Sequence, residues 1–132
     1  MIRKYQNLKV WEKAAQLVLD VYALTNTFPK EELYGLSSQV RRAAVSIPSN
    51  IAEGSERKSD KDFIRFLRMA SASLAEVETQ LYIALKLNYS DDSAYSELLK
   101  ASAEIGKMTH GLISGLEAKM PSTGDWRLAT GD

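Results

Sequence analysis

The sequence predicts an all-α chain folded as an up-down-up-down antiparallel four-helix bundle. Apolar residues recur at alternating steps of three and four in four successive segments, and helix-stopping and helix-starting residues separate those segments. The breaks are only a few residues long, so neighbouring helices are expected to run antiparallel and bury their stripes against one another. With 132 residues, 45% hydrophobic and 26% charged, the chain can build one core but is short for two. A single domain over residues 1–119 is expected. The remaining segment, residues 120–132, is rich in Pro, Gly, Ser and Thr and reads as a flexible tail, although its Trp126 and Leu128 could dock.

The first segment carries Val10, Ala14, Leu17, Val21, Leu24 and Phe28, with Trp11, Ala15, Val18 and Tyr22 widening the stripe. FPKEEL then supplies a stop and a start. Pro29 suits a first helical position, and Glu31 and Glu32 suit a first turn, where the helix dipole favours carboxylates. The second segment aligns Leu33, Leu36, Val40, Ala44, Ile47 and Ile51. SDKD, Ser59 to Asp62, has the form of a capping box that opens a third helix with Phe63, Leu67, Ala70, Leu74, Val77, Leu81 and Ala84 on one face. In NYSDDS, Asn88 is a stop and Asp91 or Asp92 a cap. The fourth segment holds Tyr95, Leu98, Ser102, Ile105, Thr109, Leu112 and Leu116.

SIPSNIAEGSERKS, residues 46–59, interrupts this regularity. Pro48 lacks an amide hydrogen and presses on the carbonyl of Ala44, so it is expected to bend the second helix by roughly 20° or more. Ser46, Ser49 and Asn50 can satisfy backbone groups nearby. Two readings are compatible. Pro48, Asn50, Glu53 and Gly54 form simple punctuation, with Gly54 as a C-cap, or they shape a corner flanked by cations.

Charge is balanced overall, seventeen basic against seventeen acidic side chains, so any attraction to nucleic acid must be local. It is unevenly spread. Residues 38–70 hold Arg41, Arg42, Arg57, Lys58, Lys61, Arg65 and Arg68 against Glu53, Glu56, Asp60 and Asp62, whereas residues 71–132 carry five basic and nine acidic groups. Lys61, Arg65 and Arg68 share a helical face and could span adjacent phosphates, to which arginine binds in a bidentate fork. The same cations could instead form a solvated face paired with Glu53, Glu56 and Asp62, or pair with an acidic fourth helix of a neighbouring copy.

Chemistry is hard to place on this chain. There is no cysteine, hence no disulfide, thiolate nucleophile or cysteine metal site, which fits a reducing cytoplasm. His110 is the one histidine, and Lys107 stands three before it where a Glu-x-x-His metal pair needs glutamate. Glu53, Glu76 and Glu78 lack acid-base partners, and EGSERKS lacks P-loop spacing. No enzyme activity, metal or cofactor is expected. No apolar run reaches the roughly 20 residues of a membrane span.

LKVWEKA (Leu8 to Ala14), FPKEELYGLSSQVRRAAVSIPSNIAEG (Phe28 to Gly54) and FLRMASASLAEVE (Phe66 to Glu78) resemble, in that order, the four-helix bundle proteins encoded in intervening sequences of bacterial 23S ribosomal RNA genes. The likeness runs over residues 5–118. It implies a bundle that assembles as a ring, typically a homopentamer. It also implies kinship with accessory proteins of diversity-generating retroelements, which bind nucleic acid and a reverse transcriptase through a basic surface. Such a ring needs head-to-tail interfaces, for which Trp11, Tyr22, Phe66 and Met69 offer apolar surface beside the opposite charges. Two functions follow as expectations. One is a nucleic-acid-binding accessory protein that holds RNA or DNA with Arg41, Arg42, Arg57, Lys58, Lys61, Arg65 and Arg68. The other is a structural or protein-interaction ring in which those cations close subunit contacts.

Overall fold

The computed structural model describes residues 4–121. Four α-helices follow one another: α1 (Lys9–Thr25), α2 (Leu36–Ser55), α3 (Asp60–Lys86) and α4 (Asp92–Ala118), with single 3-10 turns at Lys4–Asn7 and Lys30–Glu32. Among the described residues there is no strand. Each helix packs on two neighbours, α2 most closely on α3, and α1 closes the bundle against α4. Contacts link opposite helix ends. Arg41, near the start of α2, reaches Thr25 at the end of α1, and Arg68 early in α3 reaches Glu117 late in α4. Neighbours are therefore antiparallel, as short connections require. The tail expected at Trp126 and Leu128 lies outside the described residues, while Met120 still packs against the core.

Most positions of the stripes read from the sequence lie in the core, which Ala43, Ile64, Phe66 and Ile113 complete, while Leu24, Leu36, Tyr95 and Leu112 are only half-buried. Ala14, Leu17, Val21, Val40, Ala44, Ile47, Ile51, Leu67, Val77, Leu81 and Ile105 are sealed from solvent. Removing such side chains from water is the main favourable term in folding. Thr25 and Thr109 are also buried, and each hydroxyl donates to the carbonyl four residues earlier, Val21 and Ile105, at 2.8 Å, so neither is left unsatisfied. Ser102, fully buried in α4, donates to Glu78 Oε2 of α3.

Helix ends follow local rules at α3 and α4. Ser59 Oγ accepts from the Asp62 amide at 3.1 Å, and Asp91 Oδ1 accepts from the Ala94 amide at 2.8 Å. Asn88 takes φ = 63°, and the Tyr89 amide then donates to Ala84 O at 2.9 Å, a Schellman closure of α3. The start of α2 departs from expectation. Pro29 opens only the 3-10 turn, the chain passes through Leu33–Gly35, and α2 begins at Leu36. Leu33 is consequently off the buried stripe, 49% exposed. Glu32 lies in the 3-10 turn, ahead of α2 whose N-cap position is Gly35, and its side chain reaches forward: Oε1 accepts from the Leu36 amide and Oε2 from the Tyr89 hydroxyl, each at 2.9 Å. The Tyr89 ring also lies 5.4 Å from Phe28, so one carboxylate and two aromatic rings join the α1–α2 and α3–α4 connections.

The corner also differs in one respect. α2 continues through Pro48 to Ser55, with Glu56 as its C-cap, so Gly54 is inside the helix and is not the cap. Its reason is proximity: a Cβ there would stand 2.7 Å from Phe66 Cβ and 3.0 Å from Phe63 Cδ1. Asn50 Nδ2 donates to Ser46 O at 2.8 Å and Ser49 Oγ to Val45 O at 2.8 Å, the local bonds expected around the proline.

Two outcomes test this description. Gly54→Ala should destabilise the protein by about 1–3 kcal/mol in urea denaturation, because Phe66 Cβ cannot rotate away and α2 must move off α3; unchanged stability would show that the close approach is not required. Glu32 is held below the usual carboxylate range, first by the Leu36 amide and then by the Tyr89 hydroxyl. Its stabilisation is present above the unfolded-chain value of about 4.3 and is lost as pH falls through the lower folded value. Glu32→Gln should thus be less stable than the wild type near neutrality and converge with it in acid, measured as urea midpoints across pH.

Candidate functional site

The seven cations singled out in the sequence do not form one surface. Arg41 lies roughly 21 Å along α2 from Ser55, at the other end of the bundle from Arg57. It is committed locally: Nε donates to Thr25 Oγ1 at 2.7 Å, Nη2 to Asn26 Oδ1 at 3.0 Å, and the guanidinium sits 4.6 Å from the Tyr22 ring centroid. Arg41 and Tyr22 therefore brace the α1–α2 junction. Arg42 is exposed and opens into a polar groove between α2 and α3.

The other five gather where α2 hands over to α3. Arg57 Nη2 meets Glu53 Oε2 at 2.6 Å, Arg65 Nε stands 3.6 Å from Asp62 Oδ1, and Arg68 Nη2 meets Glu117 Oε2 at 2.9 Å. The guanidinium groups of Arg57 and Arg65 both lie over the Phe66 ring, 4.6 and 4.7 Å from its centroid. Lys58 and Lys61 are exposed and form no ion pair among the described residues. α4 adds to this corner both Glu117 and Lys119, the latter 3.8 Å from Asp60 Oδ2. Six cations thus share it with the five carboxylates Glu53, Glu56, Asp60, Asp62 and Glu117, so the corner is less positive than residues 38–70 imply; the difference comes from Arg41 and Arg42, which lie elsewhere, since α4 adds one charge of each sign. Glu53 of the expected corner serves as the anion for Arg57.

The apolar surface expected for subunit contacts is also redistributed. Phe66 is 6% exposed and belongs to the bundle, while Met69 remains on the surface. A second feature was only half legible. Trp11, Ala15, Val18 and Leu19 of α1 and Val45 and Pro48 of α2 line an open groove of about 430 Å³, with Tyr5 stacked edge-on against Trp11 at 5.2 Å. Leu19 and Val45 are 62% and 40% exposed. The signal for this groove was the width of the first stripe; Val45 sits off its own stripe and was passed over.

On the α1–α4 side Lys13 Nζ meets Glu104 Oε1 at 2.7 Å, which holds the Glu104 carboxyl below its usual range. Among the described residues no group of His, Asp and Glu is arranged to hold a metal ion, and no helix is long and apolar enough to cross a membrane. His110 is exposed on α4.

Comparison with known proteins agrees with this architecture. The sequence pattern described as 23S rRNA-intervening sequence protein matches residues 6–111. The chain belongs to that family. A similar solved structure is that of a protein with unknown function from the S23 ribosomal protein family of Bacteroides thetaiotaomicron. It is 25% identical with a TM-score of 0.71, and the match covers 79% of this chain and 97% of that one. No curated protein matches the chain. The matched span of this intervening-sequence protein takes in α1, α2, α3 and most of α4, and so both grooves and nearly all of the α2–α3 corner.

Proposed function

We propose that this 23S rRNA-intervening sequence protein is a non-enzymatic interaction module that works as a homo-oligomer, its copies meeting through the α1–α2 groove. The observation that carries the reading is the groove itself. Trp11, Val18, Leu19, Val45 and Pro48 line one groove together with exposed carbon, and contiguous apolar surface of this kind marks protein contacts. Aromatic anchors such as Trp11 and Tyr5 supply much of the binding energy where they are desolvated. The family resemblance to ring-forming bundles supports the same reading. Light scattering of the purified protein should give a mass that is a multiple of 14.7 kDa. Leu19→Asp combined with Val45→Asp should reduce it to the monomer with helicity unchanged, since neither side chain is in the core. A monomeric wild type, or an oligomer indifferent to both substitutions, would overturn the reading.

A second reading, RNA or DNA held at the α2–α3 corner, is favoured by Lys58 and Lys61, which are exposed, adjacent across the turn and unpaired among the described residues. Arg57 and Arg65 border them on the Phe66 ring. Phosphate binding here must exceed the repulsion of Asp60 and Asp62 in the first turn of α3. Lys58→Glu with Lys61→Glu should therefore abolish salt-dependent binding to a single-stranded oligonucleotide while leaving the oligomer intact. Unchanged affinity, or loss of the oligomer instead, would assign the corner to another role.

A further inference from the structure

Midway along the bundle a second open groove, about 400 Å³, lies between α2 and α3. It is a place where the bundle's closest helix pair turns polar. Gln39, Arg42 and Ser46 recur at steps of three and four on α2, and Ser73, Glu76 and Gln80 do the same on α3, so two polar stripes face each other across it. The short side chains of Ala43, Ser46 and Ser73 leave the space open, and Ser46 Oγ and Ser73 Oγ close one end at 2.5 Å.

One buried atom in this groove lacks a hydrogen-bond partner, and two exposed charges stand beside it without an ion pair. Arg42 and Glu76 carry opposite charge and line the same space, yet neither is in an ion pair among the described residues. The neighbouring corner behaves differently, because its arginines all find carboxylates. Gln80 Oε1 is buried and accepts no hydrogen bond, an uncompensated desolvation. The groove thus presents one carboxylate, Glu76, with the side-chain amides of Gln39 and Gln80 beside one cation, Arg42. Its complement is a molecule with adjacent N–H donors and, a short distance away, an anion.

Guanine meets this requirement. Its Watson–Crick edge sets N1–H beside the 2-amino group, a pair of parallel donors that one carboxylate accepts together. Adenine and cytosine place a ring acceptor next to their amino group, facing the carboxylate with a repelling lone pair, and uracil flanks its single N–H with carbonyls. A phosphate on the same nucleotide satisfies Arg42, for which a guanidinium is well shaped. We propose that the α2–α3 groove is a guanine-nucleotide site, with the base edge on Glu76 and Gln80 and the phosphate on Arg42. The site is separate from the α1–α2 groove and from Lys58 and Lys61, so it stands or falls apart from both readings above.

The same chemistry is offered by a free nucleotide and by guanosine in single-stranded RNA. Calorimetric titration of the full chain with GMP, AMP, CMP and UMP should give GMP a preference of about tenfold or more over the others, the discrimination expected of a bidentate base contact. Glu76→Gln should remove that preference. Arg42→Gln should weaken GMP about tenfold while changing guanosine little, because only the phosphate contact is lost. Both side chains are exposed and unpaired, so circular dichroism should show an unaltered fold. Parallel titrations with short RNAs that contain or lack guanine assign the source: selectivity for GMP without selectivity between the RNAs identifies a free nucleotide, and selectivity between the RNAs identifies a strand. Lys58→Glu with Lys61→Glu should leave GMP affinity unchanged. Equal affinity for the four nucleotides, absence of binding, or a Glu76→Gln variant that keeps its guanine preference would overturn the proposal.

Discussion

The close approach of α2 to α3 sets the rest of the molecule. At the base of the pair Gly54 lies against Phe63 and Phe66 with no room for a Cβ, and further along Ser46 and Ser73 touch through their hydroxyls. Small residues on the facing sides let two helix backbones come near each other, and a packed interior transmits that spacing because it has few voids to absorb a change. Phe66 is thereby buried, and with Phe66 buried the guanidinium groups of Arg57 and Arg65 are drawn over its ring at the corner. The same small residues, where they are not matched by a bulky partner, leave the polar groove that holds Arg42 and Glu76.

The helix pairs divide the surface chemistry. α1 and α2 expose carbon in their groove, the α2–α3 groove exposes amides with Arg42 and Glu76, and α3 and α4 are joined at the corner by Arg68–Glu117 and Asp60–Lys119. These exposed ion pairs contribute little to stability singly, about 0–1 kcal/mol each. They pair individual charges of α3 without changing the net charge of the corner, because α4 brings one anion, Glu117, and one cation, Lys119. At the opposite pole Glu32 and Tyr89 tie two loops together, and Arg41 ties a third contact to Thr25 and Asn26. Both poles are therefore built from side chains that sequence proximity does not connect.

Local features were legible wherever their physics is local. The buried faces of α1, α3 and α4 were legible because helical periodicity decides which face is buried, but not every position on them: Ile64, Phe66 and Ile113 are buried outside the expected stripes, and Leu112 is only half-buried. Ser59, Asp91 and Asn88 were readable as caps and stop because a cap bond spans three residues and a left-handed residue needs only its own side chain to tolerate it. Leu33 was misplaced because the 3-10 turn at Lys30–Glu32 shifts the start of α2 to Leu36, and nothing in the apolar spacing reports a shift in phase across a turn. Gly54 was read as a terminator because a glycine near a helix end has two physical causes, conformational freedom and close approach, and only the neighbouring helix distinguishes them.

The sequence by itself determined that four amphipathic helices form, where two of the connections lie and most of the side chains that make the core, since each of these depends on contacts within a few residues. Only the tertiary structure decided which charges neutralise one another, that Arg41 and Arg42 are parted from Arg57, and which faces are left without a partner. Charge pairing and surface exposure depend on distance in space, and packing brings Glu117 to Arg68 and Tyr89 to Glu32 across 49 and 57 residues of chain.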